Sequence, residues 1–387
     1  MSLLIEHLDE VDDVYDITVE DNHNFYANNI LVHNCTEITL RSDNETSFVC
    51  NLASPNLAKF SDYLKFDTHT KKLAWCKELE ESIRIFVRAL DNVITVGLIP
   101  HANGRRFQDQ DRAIGLGVMG WTDCLYNLGI DFETVDHIHF CNEVYKQISI
   151  TAIHESHKLS IEKGSYATFL ESSWAEGKLP KDSLINDYLV TKFDIDLSFP
   201  EDCFITESEL RSCVRQGMRN STLMAIAPTA TIANIAGCSP CTEHNWDVIS
   251  TKSNLSGTFR VFSKTAVENK FGLPVKAARQ FNQLWAVHAC ATRQIHIDQS
   301  QSLNIYIDPS DYAESPELAE TEGKQMLGDF LDDLYFECWR SGVKTTYYLY
   351  SQSNNKSISV MKPGPIVEEE DGKFCAIDAG PECEACQ

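Results

Sequence analysis

The residues around position 35 combine four kinds of reactive group. A thiolate at Cys35 is a nucleophile, and Asn34 can attack its own backbone carbonyl and cleave the chain. His33, directly before Asn34, can transfer protons near neutral pH. Glu37 lies two residues after Cys35, so on an extended segment both side chains face one side. A thiol and a carboxylate can then act on the same bound molecule.

Other cysteines have several interpretations. Cys50, taken alone, is typical of a small buried thiol. Cys238 and Cys241 form a Cys-x-x-Cys that could be half of a zinc site, but the other close pair, Cys383 and Cys386, lies far along the chain, so we expect structural thiols. The second pair ends an acidic, linker-like tail, where it could attack a disulfide by thiol exchange.

Three further stretches carry groups of interest. An apolar stretch runs into four residues whose amides and hydroxyls could hold a phosphate at a helix N-terminus: Pro228, Thr229, Ala230 and Thr231. Tyr347 and Tyr348 are adjacent in a predicted strand, which favours opposite faces and ordinary β packing. His288, His296 and Asp298 match no metal motif, and we expect polar residues where a helix meets a loop.

Hydrophobic periodicity predicts the elements that position these residues. Helices are predicted over 78–98, 135–164, 206–217 and 323–342, the third of them opened by a capping box at Thr206 and Glu209. Strands are predicted over 14–19, 25–27, 30–32, 38–40, 47–52 and 342–350. The glycine-rich stretch 112–120 lacks the context of a nucleotide-binding loop, and close packing in a strand-to-helix turn is predicted instead.

Composition narrows the class of protein. The chain has 387 residues, 43% of them hydrophobic, so it can bury a substantial core. Its net charge of −24 argues against binding a DNA or RNA polymer. No apolar run approaches the roughly 18 residues of a transmembrane helix, and no basic leader opens the chain. Together with 14 cysteines, these features predict a cytoplasmic protein without a membrane partner.

Residues 14–35 resemble the C-terminal fragment of an intein. The matching positions are Asp16, His23, His33, Asn34 and Cys35. The resemblance implies that the cysteine accepts the upstream peptide, the asparagine cleaves the chain as a succinimide, and the histidines move protons, while the aspartate orients the nucleophile or protonates the leaving group. No cysteine-led N-terminal intein segment precedes them, so the resemblance implies a split intein whose other half is a separate polypeptide.

From Cys35 onward the chain resembles the large subunit of class I ribonucleotide reductase. The resemblance rests on Cys-Thr-Glu-Ile, on Val-Cys-Asn-Leu-Ala-Ser, on the Pro-Thr-Ala-Thr and Lys-Thr-Thr-Tyr-Tyr segments, and on the terminal cysteine pair. It implies that Cys35 becomes the thiyl radical that abstracts the substrate 3′-hydrogen, with Glu37 as general base on the 3′-hydroxyl. It further implies that Cys50 is half of the reducing dithiol and that Tyr347 and Tyr348 relay the radical.

The remaining implied roles concern phosphate binding and re-reduction. Residues 228–231 would hold the substrate phosphates, and Cys383 and Cys386 would pass electrons from thioredoxin or glutaredoxin. The family places an asparagine two residues before the radical cysteine, whereas this chain has His33, which splicing would replace.

The predicted fold class is α/β: the C-terminal half of the family's ten-stranded α/β barrel, preceded by a small all-β intein fragment. The predicted domains are residues 1–34 (intein fragment), 35–350 (barrel half) and 351–387 (tail). After trans-splicing, the product is expected to be the large subunit of ribonucleoside-diphosphate reductase, acting as a homodimer. No cofactor or metal is expected to bind directly, because a metal-containing small subunit would generate the radical.

The other expected partners are the N-terminal reductase half that carries the N-terminal intein fragment, and the ribonucleotide substrate. Two alternatives remain open. One is a class II, cobalamin-dependent reductase, which does not need the tyrosine relay. The other is a working splicing module attached to an inert reductase half. Whether the substrate is a diphosphate or a triphosphate is also open.

Overall fold

The structure is a computed structural model that describes residues 24–27, 30–33, 37–183, 187–244, 249–254, 257–308 and 322–351. The chain divides into two compact units, residues 1–35 and 36–387. The predicted strand over 14–19 and the tail from residue 352 lie outside the described residues.

The first unit contributes a β-hairpin. Its strands are β1 (Asn24–Ala27) and β2 (Ile30–His33), which pair antiparallel with Asn24 opposite His33. The predicted strands over 25–27 and 30–32 are therefore confirmed. Both are short, as expected of a unit too small to bury a core of its own.

The second unit alternates short strands with helices. Its strands are β3 (Leu52–Ala53), β4 (Phe66–Asp67), β5 (Lys72–Leu73), β6 (Gly115–Leu116), β7 (Ile249–Asn254), β8 (Gly257–Phe262), β9 (Ile305–Ile307) and β10 (Leu349–Ser351). Its helices are α1 (Lys77–Val96), α2 (Ala102–Asp111), α3 (Trp121–Leu128), α4 (Val135–Lys163), α5 (Tyr188–Phe193), α6 (Glu207–Gln216), α7 (Ala230–Ala236), α8 (Lys264–Glu268), α9 (Gln283–Gln294) and α10 (Glu322–Arg340). No helix within the described ranges is both long and apolar enough to cross a membrane.

A parallel ladder forms the centre of this unit. We define it as five neighbouring segments: 51–57, 114–119, 222–226, 299–307 and 347–351. Regular strand covers only part of each segment, but backbone hydrogen bonds continue the pairing between them, as from Leu116 N to the Leu223 carbonyl at 2.7 Å and from Ile226 N to the Ser300 carbonyl at 3.0 Å. Parallel segments place their carboxyl ends at one edge, so the loops that follow them converge there.

The helices pack around α4, the longest of those described. It contacts α1, α6 and α9, and most of its residues are buried, including Phe140 and Tyr145. An element enclosed on several sides is expected to be buried around its circumference. Four predicted helices are confirmed within two residues at each end, including the capping box in which Thr206 and Glu209 bond reciprocally.

The strand predictions were less accurate. Residues 38–40 form no strand, and the predicted strand over 47–52 shrinks to Leu52–Ala53. The glycine-rich stretch does pack closely before α3, as predicted. A Cβ on Gly115 would lie 2.4 Å from Leu52 Cδ2, and one on Gly117 would lie 2.7 Å from the Ala225 carbonyl oxygen. Glycine is required here because neighbouring ladder segments approach one another closely.

Candidate active site

Glu37 is buried beside the fourth ladder segment, with 2% of its surface exposed. Its backbone carbonyl accepts a hydrogen bond from Ser300 N at 3.0 Å, and its carboxylate accepts one from Ser302 Oγ at 2.9 Å. The segment therefore fixes both the backbone and the side chain of Glu37. Cys35, two residues earlier, lies outside the described residues.

Tyr347 and Tyr348 lie against the next residues of that segment. Tyr347 N donates to the Leu303 carbonyl at 2.7 Å, and Tyr348 N donates to Asn304 Oδ1 at 3.3 Å. Their ring centroids are 3.9 Å apart with an interplanar angle of 39°. The sequence-based expectation of opposite faces was wrong because regular strand begins only at Leu349. Outside a pleated strand, adjacent side chains need not alternate.

Residues 302–304 thus connect two groups that the sequence separates by about 310 positions. Ser302 holds the carboxylate of Glu37, and Leu303 and Asn304 hold the backbone of the tyrosine pair, Tyr347 and Tyr348. A carboxylate and a pair of phenol rings in contact are consequently arranged along one short piece of backbone.

Glu243 is a buried carboxylate that sequence reasoning missed. Asn304 donates to it from both its backbone N and its side-chain Nδ2, the latter at 2.7 Å, and the Tyr306 hydroxyl donates at 3.0 Å. Burial raises the pKa of Glu243 to about 7, although these hydrogen bonds and the Arg293 charge act in the opposite direction. No local pattern marks this glutamate, since its partners lie about 60 residues later.

The candidate phosphate-binding residues follow the third ladder segment. Thr229 adopts a left-handed backbone conformation with φ of 51°, and α7 begins directly after it. Its hydroxyl oxygen accepts a hydrogen bond from Cys241 N at 2.7 Å, while Ala230 and Thr231 are exposed. Pro228 is half-buried. The turn therefore presents Ala230 and Thr231 to solvent and uses the Thr229 oxygen internally.

Cys241 contacts both this turn and the fourth ladder segment, which holds Glu37. Its sulfur lies 3.9 Å from the Ser302 carbonyl oxygen, and burial raises the pKa of its thiol to about 12. A raised pKa of this kind favours the protonated thiol, and the structural role of Cys241 stays a prediction. Cys238 is half-buried, and burial raises its pKa to about 11.

Arg293 is a second buried group that sequence reasoning missed. The residue is 2% exposed, and its guanidinium donates to Gln301 Oε1 at 2.9 Å and lies over the rings of Trp121 and Tyr145. Gln301 directly precedes Ser302, so Arg293 is hydrogen-bonded to the segment that holds Glu37. Burying a charge is costly, and the contacts of Arg293 with amide and aromatic groups offset part of that cost.

The other predicted residues are placed as follows. Cys50 is exposed and lies just before the first ladder segment. The backbone of His33 ends β2. The remaining candidates lie outside the described residues: Asp16, His23, Asn34, Cys383 and Cys386.

The three polar residues considered for a metal are each engaged elsewhere. His288 Nε2 lies 2.7 Å from Glu337 Oε1, and His296 Nε2 lies 2.9 Å from Asn142 Oδ1. The Asp298 carboxylate accepts three backbone N–H groups: those of Leu223, Met224 and Gln299. Within the described ranges, no group of three or more histidine, cysteine or acidic side chains is arranged to hold a metal ion.

Comparison with known proteins identifies relatives of the chain. Ribonucleoside-diphosphate reductase subunit alpha of Chlamydia trachomatis is 32% identical over 409 residues, covering 91% of this chain and 36% of the relative. The same subunit of Helicobacter pylori is 32% identical over 346 residues, with coverages of 89% and 38%. The ribonucleoside-diphosphate reductase large subunit of Arabidopsis thaliana is 27% identical over 415 residues, with coverages of 91% and 47%.

The chain therefore spans about a third to a half of the length of these curated relatives. The sequence profile of the ribonucleotide reductase barrel domain matches residues 14–274 and 270–349. The match begins inside the segment predicted to be an intein fragment, and the intein interpretation stays a prediction. The extent of this match shows that the chain belongs to the ribonucleotide reductase family, whose barrel domain it contains.

Proposed function

We propose that this chain, joined to an N-terminal part, is the catalytic large subunit of a class I ribonucleoside-diphosphate reductase. The observation that carries the proposal is the arrangement along residues 302–304, where Ser302 holds Glu37 and the next two residues hold the tyrosine pair. The reaction needs a radical, which the tyrosines deliver, and a base beside the substrate. Residues 302–304 hold the tyrosine pair and Glu37 along one short segment.

In this proposal Cys35, as a thiyl radical, removes the substrate 3′-hydrogen while Glu37 accepts the proton of the 3′-hydroxyl. Burial of Glu37 with a hydroxyl donor keeps it in one orientation. Cys50 and a cysteine of the N-terminal part reduce the ribose and become a disulfide, which Cys383 and Cys386 then exchange with thioredoxin or glutaredoxin. The substrate phosphates bind at the start of α7, where Ala230 and Thr231 are exposed.

The tyrosine pair favours class I over the cobalamin-dependent alternative. The ring centroids of Tyr347 and Tyr348 lie 3.9 Å apart, close enough for the rings to be in contact and to pass an electron from one to the other. A cobalamin-dependent enzyme generates its radical beside the cysteine and has no need of such a pair. The metal in our proposal belongs to the small subunit, and no metal or cofactor binds this chain directly.

We further propose that residues 1–34 act first, as an intein fragment that ligates the N-terminal part. The hairpin of β1 and β2 supports this, since it brings the segment directly before Asn34 and Cys35 into a defined antiparallel register. The chain spans 36% of the length of its relative from Chlamydia trachomatis.

The splicing step is tested by mixing the purified chain with an N-terminal polypeptide that ends in an intein N-terminal fragment. Mass spectrometry should detect a ligated large subunit and the excised intein pieces. Cys35→Ala should abolish both ligation and later reduction. The matched control is Cys50→Ala, which should ligate normally and yield a product unable to turn over. Ligation by the Cys35→Ala chain would contradict the shared role of Cys35.

The reductase step is tested on the ligated product with ribonucleoside di- and triphosphates. Formation of deoxyribonucleotides should require the metal-containing small subunit, and Tyr347→Phe should abolish it while substrate still binds. Turnover with adenosylcobalamin in place of the small subunit would instead identify the class II reaction. A ligated product inactive under both conditions would favour the inert-reductase alternative.

A further inference from the structure

Two more tyrosines continue the stack beyond Tyr347 and Tyr348. The ring of Tyr350 lies 5.5 Å from that of Tyr348, with an interplanar angle of 64°. The ring of Tyr306 lies 5.2 Å from that of Tyr350 and nearly parallel to it, at 8°. Tyr306 is in β9 and Tyr350 in β10, paired directly opposite each other, so the parallel register itself sets this contact. Four phenols thus follow one another ring to ring.

At the far end of this series, Tyr306 is hydrogen-bonded to a buried carboxylate. The Tyr306 hydroxyl donates to Glu243 Oε2 at 3.0 Å. Asn304 holds the same carboxylate with two donors, so the acceptor oxygen cannot easily turn away from the phenol. Ordinary aromatic packing would explain the stacked rings, but it does not require a buried acid hydrogen-bonded to the last hydroxyl.

The hydrogen bond from the Tyr306 hydroxyl to Glu243 is a path along which a proton can move. Oxidation of a phenol at neutral pH requires that its proton leave, because the oxidised phenol is a strong acid. Burial raises the pKa of Tyr306 well above its usual range, so the hydroxyl stays protonated until it is oxidised. Glu243, with a pKa raised to about 7, is ionised at slightly alkaline pH and is a well-matched proton acceptor.

We propose that Tyr350 and Tyr306 form a redox-active side branch of the radical relay, in which Glu243 accepts the phenol proton of Tyr306. The branch offers the radical a resting position away from Cys35. This inference rests on the proposed function, since the small subunit and the Tyr347–Tyr348 pair provide the oxidising radical.

The phenoxyl radical on Tyr348 takes one electron from Tyr306 through the ring of Tyr350, and the resulting phenolate recovers the proton that it released when it was oxidised. Tyr306 loses one electron, and its O–H bond breaks as the proton moves along the hydrogen bond to Glu243. The products are neutral Tyr348, a Tyr306 phenoxyl radical and a protonated Glu243. Reversal returns the radical to the relay with no net consumption of reductant.

The groups around Glu243 determine the pH at which it is ionised and can accept the Tyr306 proton. The titratable or charged groups that face it are Tyr306, Tyr350, Arg293, Cys241 and Cys290. Burial keeps the two thiols and the two phenols protonated, and the arginine keeps its charge, so only Glu243 itself titrates near neutrality. Occupancy of the Tyr306 radical should therefore rise with pH across about 7, as Glu243 ionises.

The experiment uses the ligated large subunit with its small subunit, substrate and effector. The more easily oxidised 3-aminotyrosine replaces Tyr306 in one protein and Tyr347 in another, and electron paramagnetic resonance detects an aminotyrosyl radical after mixing. A signal is expected at both positions. Tyr350→Phe should abolish the signal at position 306 and leave that at 347, and Glu243→Gln should remove the pH dependence at 306. Both variants keep the shape of the replaced side chain.

A matched control places 3-aminotyrosine at Tyr166, a buried tyrosine packed on Phe169 and outside the series. No radical is expected there. A signal at 347 with none at 306, or an equal signal at 166, would overturn the side branch and leave the relay intact. Absence of a radical at both 347 and 306 would instead overturn the proposed relay, and the branch with it.

Discussion

Two buried carboxylates, Asp91 in the outer helical layer and Glu243 beside the ladder, have opposite electrostatic environments. Asp91 on α1 is fully buried and accepts from Arg112 Nη2 at 2.6 Å, Lys163 Nζ at 2.9 Å and Arg219 Nε at 3.1 Å. Burial acts to raise its pKa, but Lys163, Arg112 and Arg219 together bring the pKa of Asp91 below its usual value. The charge is permanently paired, so Asp91 ties α1 to α4 and to the neighbouring loops.

Glu243 receives its hydrogen bonds from neutral donors instead. Asn304 and Tyr306 provide them, and Arg293 acts only through its charge. Burial then dominates, and the pKa of Glu243 rises to about 7. The comparison teaches that burial alone does not decide what a carboxylate does. Paired with cations it is a structural link, and surrounded by neutral donors it can exchange a proton near neutral pH.

The largest effect is expected from Asp91→Asn. The substitution keeps the shape of the side chain but leaves three cations around a neutral group, which costs on the order of 3–5 kcal/mol for a buried network. Urea denaturation followed by tryptophan fluorescence at pH 7 measures the free energy of unfolding. The control is Glu162→Gln, which removes an exposed partner of Arg88 and should leave the midpoint nearly unchanged. Similar midpoints for both variants would show that Asp91 is not a structural link.

Glu243→Gln tests the other carboxylate through its pH dependence. Because the folded-state pKa is about 7 and the ordinary value is 4.5, the folded chain retains a proton between these pH values that the unfolded chain has released. The contribution of Glu243 to the free energy of unfolding therefore falls as pH rises from 4.5 to 7, by roughly 3 kcal/mol in total. The variant lacks this component.

The measurement is the difference between the parent chain and Glu243→Gln at each pH. Other groups titrate in both proteins, including Asp298, whose pKa burial raises to about 6, and their effects cancel in the difference. For Asp91, the contribution to the free energy of unfolding is expected to change with pH in the opposite direction and over a lower pH range. Its pKa is lowered, so its contribution is present above about 3.8 and is lost as the pH falls through its folded-state value. A flat difference between pH 4.5 and 7 would contradict the assignment for Glu243.

The same two regions differ in how far the sequence predicts them. The outer helices follow local signals: α1 and α4 from hydrophobic periodicity, and α6 from the capping box at Thr206 and Glu209. Such signals lie within a few residues of the element that they specify. They fixed these helices to within two residues at each end.

The candidate site depends on contacts between distant positions. Ser302 reaches Glu37 across 265 residues, and Asn304 reaches Glu243 across 61. No local pattern reveals such pairs, so Ser302, Glu243 and the extended tyrosine series were missed. The short motifs singled out Glu37 and the tyrosine pair through their resemblance to a known family, and the roles of these residues stay predictions. The mutual arrangement of these residues emerged only from the register of the ladder.

Smaller effects are expected from two glycine-to-alanine substitutions, which compare the tightness of packing in the ladder with that in an outer helix. Gly117→Ala would place a Cβ 2.7 Å from the Ala225 carbonyl oxygen in the ladder, where the backbone must shift, and overpacking of this kind costs about 1–3 kcal/mol. The matched variant is Gly328→Ala in α10, where a Cβ would meet no atom within 4 Å. It should stabilise the chain by about 0.5–1 kcal/mol, because alanine favours the helix. Opposite shifts of the thermal midpoint are expected, and two shifts of the same sign would contradict the difference in packing.

The smallest effect concerns two buried serines. Ser302→Ala removes the hydroxyl that donates to Glu37 and should lower the free energy of unfolding by about 1–2 kcal/mol, since a buried carboxylate loses a donor. In Ser160→Ala the lost hydroxyl donated to the His157 carbonyl one turn earlier in α4, and a change below about 0.5 kcal/mol is expected. The ligated Ser302→Ala enzyme should also show a lower kcat with little change in KM, because Glu37 is no longer held for proton transfer while phosphate binding is untouched. The Ser160→Ala enzyme should match the parent in kcat. If Ser302→Ala destabilised the fold but left kcat intact, the hydroxyl would serve the ladder alone, and the base would be oriented by something other than residue 302.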